Sequence, residues 1–598
     1  MATLFTSAII CIILAFGYSA WERYSVFYGR GANIVCEHVK AEYDYIIVGS
    51  GSAGSVLGSR LSEDNVTVLI LEAGNHFDTN SNIHIPAFMT ELFQTDVDWN
   101  YHSESETNVY LGLVGQRAIS PRGRTLGGTS AINYCSCVRG SPIHFDEWVN
   151  KYGCEGWGYK DLLPYFKKLE DVKIPELRNS EYRGTGGPIA VSVQSLSTLD
   201  QYYLAAGKEM GYDIVDHNGP SQSGFSNIQF SIRDGVRSST GLEYLGKIGR
   251  RSNLDISVNS FVTKVDIEEK HAKGVFFIKH GRKQYVKAKK EIVLSAGTIN
   301  SAQILMLSGI GPKNHLETLG IPVLADLPVG KKLHDHFGVI LGASIDKPLN
   351  VPSEVFGSLW SKIQYLLFGT GPLAFAHSVS QAFVHIDKTK IGREKPDAQI
   401  MLSGSIFAAN GLMNYNETIA EELLYRYSNT PGFSGLIILL QPKSIGEVTL
   451  KSADPFDYPS IKTNQFSNEE DLNDLVSTIH LFEEFISTKS MQSIGADLKI
   501  NKGSFCSEHE FKSDGFWRCM LRHISIPFFH ATSSCRMGPT GDRSAVVDLD
   551  LKVQGLDNLR VVDASVFPSV TTGNTNVPTI AVAEKAADMI RFDKIDKT

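Results

Sequence analysis

The chain has 598 residues, enough for one large core or two to three smaller ones. It is 42% hydrophobic and 20% charged with 53 glycines, the composition of a globular protein. A formal charge of -8 removes any electrostatic reason to expect a nucleic acid or an anionic membrane as partner.

Ala8 to Phe16 is an uninterrupted apolar run, followed by small residues to Ala20. It is short for a bilayer span and lies where a secretory signal would. Residues 1–20 are therefore expected to form a signal peptide and the mature chain to be secreted, without stable membrane insertion. The segment before the run has no Lys or Arg, and a retained N-terminal anchor is the alternative. The sequons at Asn65 and Asn416 suit glycosylation on that route.

Residues 43–48, Tyr-Asp-Tyr-Ile-Ile-Val, form a mostly apolar, β-branched run ending at Gly49, as in a strand buried on both faces of a parallel sheet. A helix over 54–61 and a second strand over 66–71, ending at Glu72, complete a βαβ unit. Buried-strand runs recur at 291–297 and 559–564, and the simplest architecture makes them strands of the same sheet. The stretch 340–525 is less regular, and 446–451 alternates polar and apolar as a half-exposed antiparallel strand does. The expected fold is α/β: a discontinuous Rossmann-like domain over 42–335 and 530–598, and an α+β substrate domain built on an antiparallel sheet over 336–529. Cys506 and Cys519, close together in a polar stretch, are the expected disulfide, while the absence of C-x-x-C argues against structural zinc.

Gly49-Ser50-Gly51-Ser52-Ala53-Gly54 fits G-x-G-x-x-G between strand and helix. Its glycines permit a tight turn and close approach of backbone to a pyrophosphate, and the helix start offers free N–H groups. Glu72 is placed to accept from an adenosine ribose and disfavours a 2′-phosphate, so NADP is not expected.

Three further stretches resemble the glucose–methanol–choline oxidoreductase family. Gly123 to Asn133, followed by Val138-Arg139-Gly140, is similar to its first signature, with Gly127, Gly128, Ser130 and Asn133 against the ligand. Gly297 to Pro312 is similar to the second, with Ala302 where Pro or Ser is usual. His530 to Gly538 resembles the active-site histidine segment, with Ser533 for the usual Gly, and Gly573 to Ile580 follows it. The resemblance covers about residues 42–593. It implies FAD, cofactor contacts that include Val262, Asp563 and Ala564, and an active-site pair of His530 with Asn576. A neutral imidazole suits removal of a hydroxyl proton, and an amide holds the substrate oxygen without added charge. Members that tether FAD through histidine carry it just before the residue matching Asn133; Ile132 stands there, so the flavin is expected to be non-covalent. His334-Asp335-His336 is not read as a metal pair, since no third ligand is near and the family has a similar element without metal. Asp98-Trp99-Asn100-Tyr101 fits a packed aromatic cluster as well as a flavin neighbour.

The implied activity is oxidation of an alcohol to a carbonyl with oxygen or a quinone-like acceptor. The reading leans to an oxidase of a small aromatic alcohol or cyanohydrin, in the secreted arthropod branch. A sugar or ecdysteroid oxidoreductase, a hydroxynitrile lyase and an inactive binding protein are the alternatives.

Overall fold

The computed structural model describes residues 33–592, with 195, 353, 407–412, 424–429 and 501–504 excepted, and residues 14, 17, 18 and 21. The expected leader lies almost wholly outside the described residues. No described helix is long and apolar enough to cross a membrane.

The first sheet has seven strands. Six run in the order Leu254–Ser257, Val68–Leu71, Glu42–Val48, Arg282–Leu294, His271–Lys279 and Ser260–Glu268; Leu559–Val561 also pairs with Arg282–Leu294. Glu42–Val48 is central because it is apolar on both faces: Ile46 and Ile47 have no exposed surface. The long strand Arg282–Leu294 changes neighbour midway. Its first half belongs to an antiparallel hairpin with His271–Lys279, and its end runs parallel to Glu42–Val48 and Leu559–Val561. Val48, Leu71, Ser257, Leu294 and Val561 end level, so five parallel strands stop along one edge. In an open α/β sheet the ligand crevice lies outside such an edge.

The second sheet is antiparallel, in the order Asp497–Leu498, Phe337–Ser344, Gly432–Leu439, Ala398–Ser403, Ser378–Val384 and Gly224–Asn227, with Ile526–Pro527 paired to Phe337–Ser344. Side chains alternate across it. Phe433, Ile437 and Leu439 join the core that includes Phe482 of the helix Glu469–Ser487, while Leu436 and Ile438 turn the other way. A Cβ on Gly435 would lie 2.5 Å from the Phe482 ring, so the helix seats where that strand has no side chain.

Two details differ from the expected division. The edge strand Gly224–Asn227 comes from the segment assigned wholly to the first domain. Four residues, Gly-Phe-Ser-Asn, carry no alternation that sequence reading could detect. Glu447–Thr449 does pair antiparallel, but with Ser460–Lys462 in a separate two-stranded sheet. Cys506 and Cys519 are bonded. Asn65 is exposed; Asn416 is half-buried, and its Oδ1 accepts from the Ile419 N–H.

Candidate active site

A cavity extends from the strand-end edge of the first sheet to the inner face of the second. Gly49, Gly51, Ser52 and Ala53 line its floor, with Glu72, Gly128, Asn133, Val262, Asp563 and Ala564 around it. Gly49 has φ +94°, and a Cβ on Gly128 would lie 2.7 Å from the Gly51 Cα, so the two glycine loops touch backbone to backbone. Ser50, Gly54, Gly127 and Ser130 were expected at the ligand and stand behind this surface instead. Ser50 donates through N–H and Oγ to Glu72 at 2.9 and 2.7 Å. The Ser130 hydroxyl is taken by the Gly127 carbonyl at 2.6 Å and Thr240 at 2.9 Å. Gly54 lies under Gly49, whose carbonyl oxygen a Cβ would meet at 1.9 Å.

Glu72 is buried, and its other oxygen accepts from the Gly74 N–H at 2.8 Å. Burial pushes its carboxyl up, against the pull of these three hydrogen bonds. Asp563 accepts from the Gly297 N–H at 2.9 Å and the Ser301 hydroxyl at 2.6 Å, tying the start of the helix Gly297–Leu307 to the strand end. An anion at a helix start is favoured by the unpaired N–H groups there.

His530 sits where the two sheets meet. Its backbone N–H donates to Asp335 at 2.7 Å, its Nδ1 lies 3.0 Å from the Nδ1 of His336, and its Nε2 lies 3.0 Å from the Asn574 amide. The partner of His530 is thus Asn574 and not Asn576, which corrects the sequence reading. The helix Asn576–Phe592 begins at Asn576, whose Oδ1 is turned to the glycine loop and accepts from Ser52 at 2.7 Å. Asn574 precedes the helix, beside Gly573 at φ +140°, and is free to face the histidine. Two amides at i and i+2 look alike in sequence; the position of the helix start is the signal that separates them.

Burial and the Arg122 cation push the His530 imidazole down to about 3, so it is neutral throughout the physiological range. Arg122 donates to the Phe529 carbonyl at 2.6 Å, and its Nε and Nη2 have no protein partner. Asp335 is held up to about 7 by burial, opposed first by Arg122. Sequence reading missed Arg122 and set aside His336, because neither lies beside His530 in the chain. Among the described residues, the groupings of Cys, His and carboxylate close enough to share an ion lie at the Cys506–Cys519 bond, away from His334–His336. Trp99 lines the cavity, stacked on Tyr101 at 5.8 Å with Arg124 over its face at 4.8 Å.

Beyond His530 the walls turn apolar: Ile340, Met401, Leu436 and Ile438 from the second sheet, with Phe528 and Phe529. Phe93 packs edge-on against Phe529 at 5.9 Å and Tyr134 at 6.2 Å.

A backbone cradle and a buried carboxylate at a strand end are joined by one cavity to a neutral, half-buried histidine, the arrangement expected of a dinucleotide-dependent oxidoreductase. The chain belongs to the GMC oxidoreductase family: residues 43–338 match its N-terminal profile and 442–583 its C-terminal one. It is 34% identical over 572 residues to a glucose dehydrogenase [FAD, quinone] of Drosophila melanogaster, covering 94% of this chain and 89% of that protein. It is also 34% identical to human mitochondrial choline dehydrogenase, covering 92% and 90%. Among solved structures, formate oxidase of Aspergillus oryzae RIB40 superposes with a TM-score of 0.81 at 27% identity, over 94% of this chain and all of the other. Pyridoxine 4-oxidase from Mesorbium loti gives 0.76 at 27% identity, over 92% and 99%. The chain is therefore a flavoprotein of the class that acts on CH–OH donors, and FAD is the cofactor these relatives support. The cavity fits that group. Glu72 retains acceptor capacity on the oxygen that faces only Gly74, the floor is bare backbone, and Arg122 and the Asn574 Oδ1 carry polar atoms without protein partners.

Proposed function

We propose that this protein is a secreted enzyme that oxidises a small, uncharged, apolar alcohol, aromatic by preference, to its carbonyl, with non-covalently held FAD and oxygen as acceptor. The observation that carries the reading is the composition of the reactive end. Ile340, Met401, Leu436, Ile438, Phe528 and Phe529 wall it, and its polar groups are few, with Tyr134 and Ser136 beside His530, Asn574 and Arg122. An aromatic ring gains about 25 cal/mol for each Å² it buries there, whereas a sugar would lose water from several hydroxyls with few partners to replace it.

FAD supplies the acceptor for the hydride that leaves the carbinol carbon. The substrate hydroxyl replaces the Asn574 contact at the His530 Nε2, which takes the hydroxyl proton, and the freed Asn574 amide donates to the substrate oxygen. Arg122 places positive charge near the oxygen as it becomes anionic, and the apolar walls exclude water so that this charge is weakly screened. The start of Asn576–Phe592 adds the positive end of a helix to the cofactor side of the cavity. Ile132, which lines the cavity beside Asn133, has no nucleophile to form a flavin bond.

The similarity to a glucose dehydrogenase [FAD, quinone] favours a second reading, in which a sugar is the donor and a quinone the acceptor. Anaerobic mixing with benzyl alcohol, with an aromatic cyanohydrin and with glucose, followed by admission of air, separates the two. Flavin bleaching by the aromatic donor and rapid recovery with stoichiometric peroxide is the expected result. Bleaching by glucose alone overturns the donor, and recovery only on adding a quinone overturns the acceptor. Turnover with the flavin oxidised throughout makes the protein a lyase. Secretion is tested on the cultured medium, where the first peptide should begin near residues 18–21; an intact Met1 peptide recovered from membranes overturns it.

A further inference from the structure

A general base works only if its lone pair faces the substrate, and a neutral imidazole carries a proton on one nitrogen or the other. In His530 the Nε2 faces the cavity and Asn574, while Nδ1 points away from it, to the Nδ1 of His336 at 3.0 Å. The two rings meet edge to face, with centroids 5.1 Å apart. Two nitrogens in hydrogen-bond contact must share one proton, so one ring donates and the other accepts. The His336 Nε2, on the far side, has no hydrogen-bond partner among the described residues, so the choice is made at the cavity. There the Asn574 Nδ2 is a donor and needs a lone pair on the His530 Nε2, which puts the His530 proton on Nδ1 and makes the His336 Nδ1 the acceptor.

We propose that His336 is a positioning residue that fixes the tautomer of His530: it accepts from the His530 Nδ1–H and thereby leaves the Nε2 lone pair in the cavity. The proposal rests on the reading of His530 as the base that takes the hydroxyl proton. Asn574 and His336 thus hold the two ring nitrogens of His530 from opposite sides. No other neighbour takes this part. Asp335 is spent on the His530 backbone N–H and does not bond the ring, and Arg122 bonds the Phe529 carbonyl. His334 bonds the Pro442 carbonyl and the Val570 N–H, and His144 bonds Trp148. His336 has no exposed surface, and burial together with the neighbouring His530 pushes its imidazole far down, so it stays neutral and able to accept.

The test uses the holoenzyme with 15N-labelled histidine and two variants. His336→Leu keeps the volume but cannot accept; His336→Asn offers an oxygen close to where Nδ1 stands. In the wild type without substrate, the His530 ring nitrogens should read as Nδ1–H with a bare Nε2. In His336→Leu the proton should move to Nε2, and flavin reduction by a turned-over alcohol should slow roughly 10²- to 10⁴-fold, the scale of a wrong catalytic tautomer. FAD content and visible spectrum should be unchanged, and His336→Asn should recover most of the rate. A wild-type His530 that already carries its proton on Nε2 overturns the proposal, as does His336→Leu with His530 still Nδ1–H. A packing role would instead leave His336→Leu fast and His336→Asn slow. If no alcohol bleaches the wild-type flavin, the proposed function fails while the nitrogen spectra still decide the tautomer.

Discussion

The floor and the reactive end of the cavity are built by opposite means. The floor comes from a run of six residues, Gly49 to Gly54, and its contacts are made by backbone: Gly49 at a positive φ, Gly51 against Gly128, and Ser50 bonded to Glu72. The polar groups of the reactive end come as side chains from four distant segments, Arg122, Asp335–His336, His530 and Asn574, and its apolar walls from the second sheet. A floor made of backbone recognises what every dinucleotide shares. Walls made of side chains can change residue by residue without disturbing the sheet beneath them, and so substrate choice is free to vary on a constant scaffold.

The two regions should therefore fail separately. His530→Ala should keep FAD bound and slow flavin reduction by roughly two to four orders of magnitude, the usual range for loss of a general base. Stopped-flow absorbance reads this, and near-normal reduction would move the proton acceptor elsewhere.

Acid should act on the folded state chiefly through its buried histidines. His144, His217, His334 and His336 are buried, and burial holds each below its ordinary value, His217 and His334 at about 4. The unfolded chain binds these protons near pH 6.5 and the folded one does not, so stability falls as pH drops through 6.5 towards 4. Each contributes about 1.4 kcal/mol of loss by pH 5.5. Asp335 works the other way: held up to about 7, it gives back stability as pH falls below that value. Glu72, Glu106, Asp474, Asp548 and Asp563 are raised too and act with Asp335, while His315, His377, His385 and His530 are lowered and act with the other histidines. The imidazoles titrate inside this window when unfolded, so thermal unfolding between pH 7.5 and 5.5 should show Tm falling. A flat or rising Tm would mean these rings are protonated in the fold.

Gly54→Ala attacks only the floor. Its Cβ would meet the Gly49 carbonyl oxygen at 1.9 Å, and relieving that contact costs about 1–3 kcal/mol and displaces the loop. Purified protein should hold little flavin yet keep the Cys506–Cys519 bond; full occupancy would show the loop to be more plastic than its contacts suggest. The smallest effect sharpens the boundary between the regions. Asn574→Ala should slow flavin reduction about tenfold, close to 1.4 kcal/mol of barrier, and leave FAD affinity unchanged. Asn576→Ala, which loses only the Ser52 bond and a helix-start amide, should weaken FAD binding and leave the reduction step alone. Exchange of these two outcomes would restore Asn576 as the partner of the base.

Legibility in the sequence follows the same division. The strand–glycine–helix unit, Glu72 at the second strand end and the helix Gly297–Leu307 could be read directly, because local patterns of burial and turn chemistry specify each of them. His530 was readable through a motif. Asn574 was separable from Asn576 only by where the helix begins, and His336 and Arg122 were not readable, since what makes them neighbours of His530 is the meeting of two sheets, which no spacing records. Gly224–Asn227 escaped for another reason: it joins the second sheet by backbone pairing, and its residues carry no stripe to announce it.

The strand Leu559–Val561 and the helix Asn576–Phe592 belong to the first sheet's domain yet are translated long after the strands and helix they join. Leu559–Val561 lies against the end of Arg282–Leu294, and the helix packs on Gly54–Leu61 from the opposite end of the chain. At ~5–20 residues per second, translation takes roughly 15 to 50 s to pass from one strand to its neighbour. For that interval the nascent chain carries an open strand edge and an uncovered helix face. The first sheet closes only when these late segments arrive, so a chain cut short before Leu559 lacks its base partner, its last parallel strand and its covering helix together.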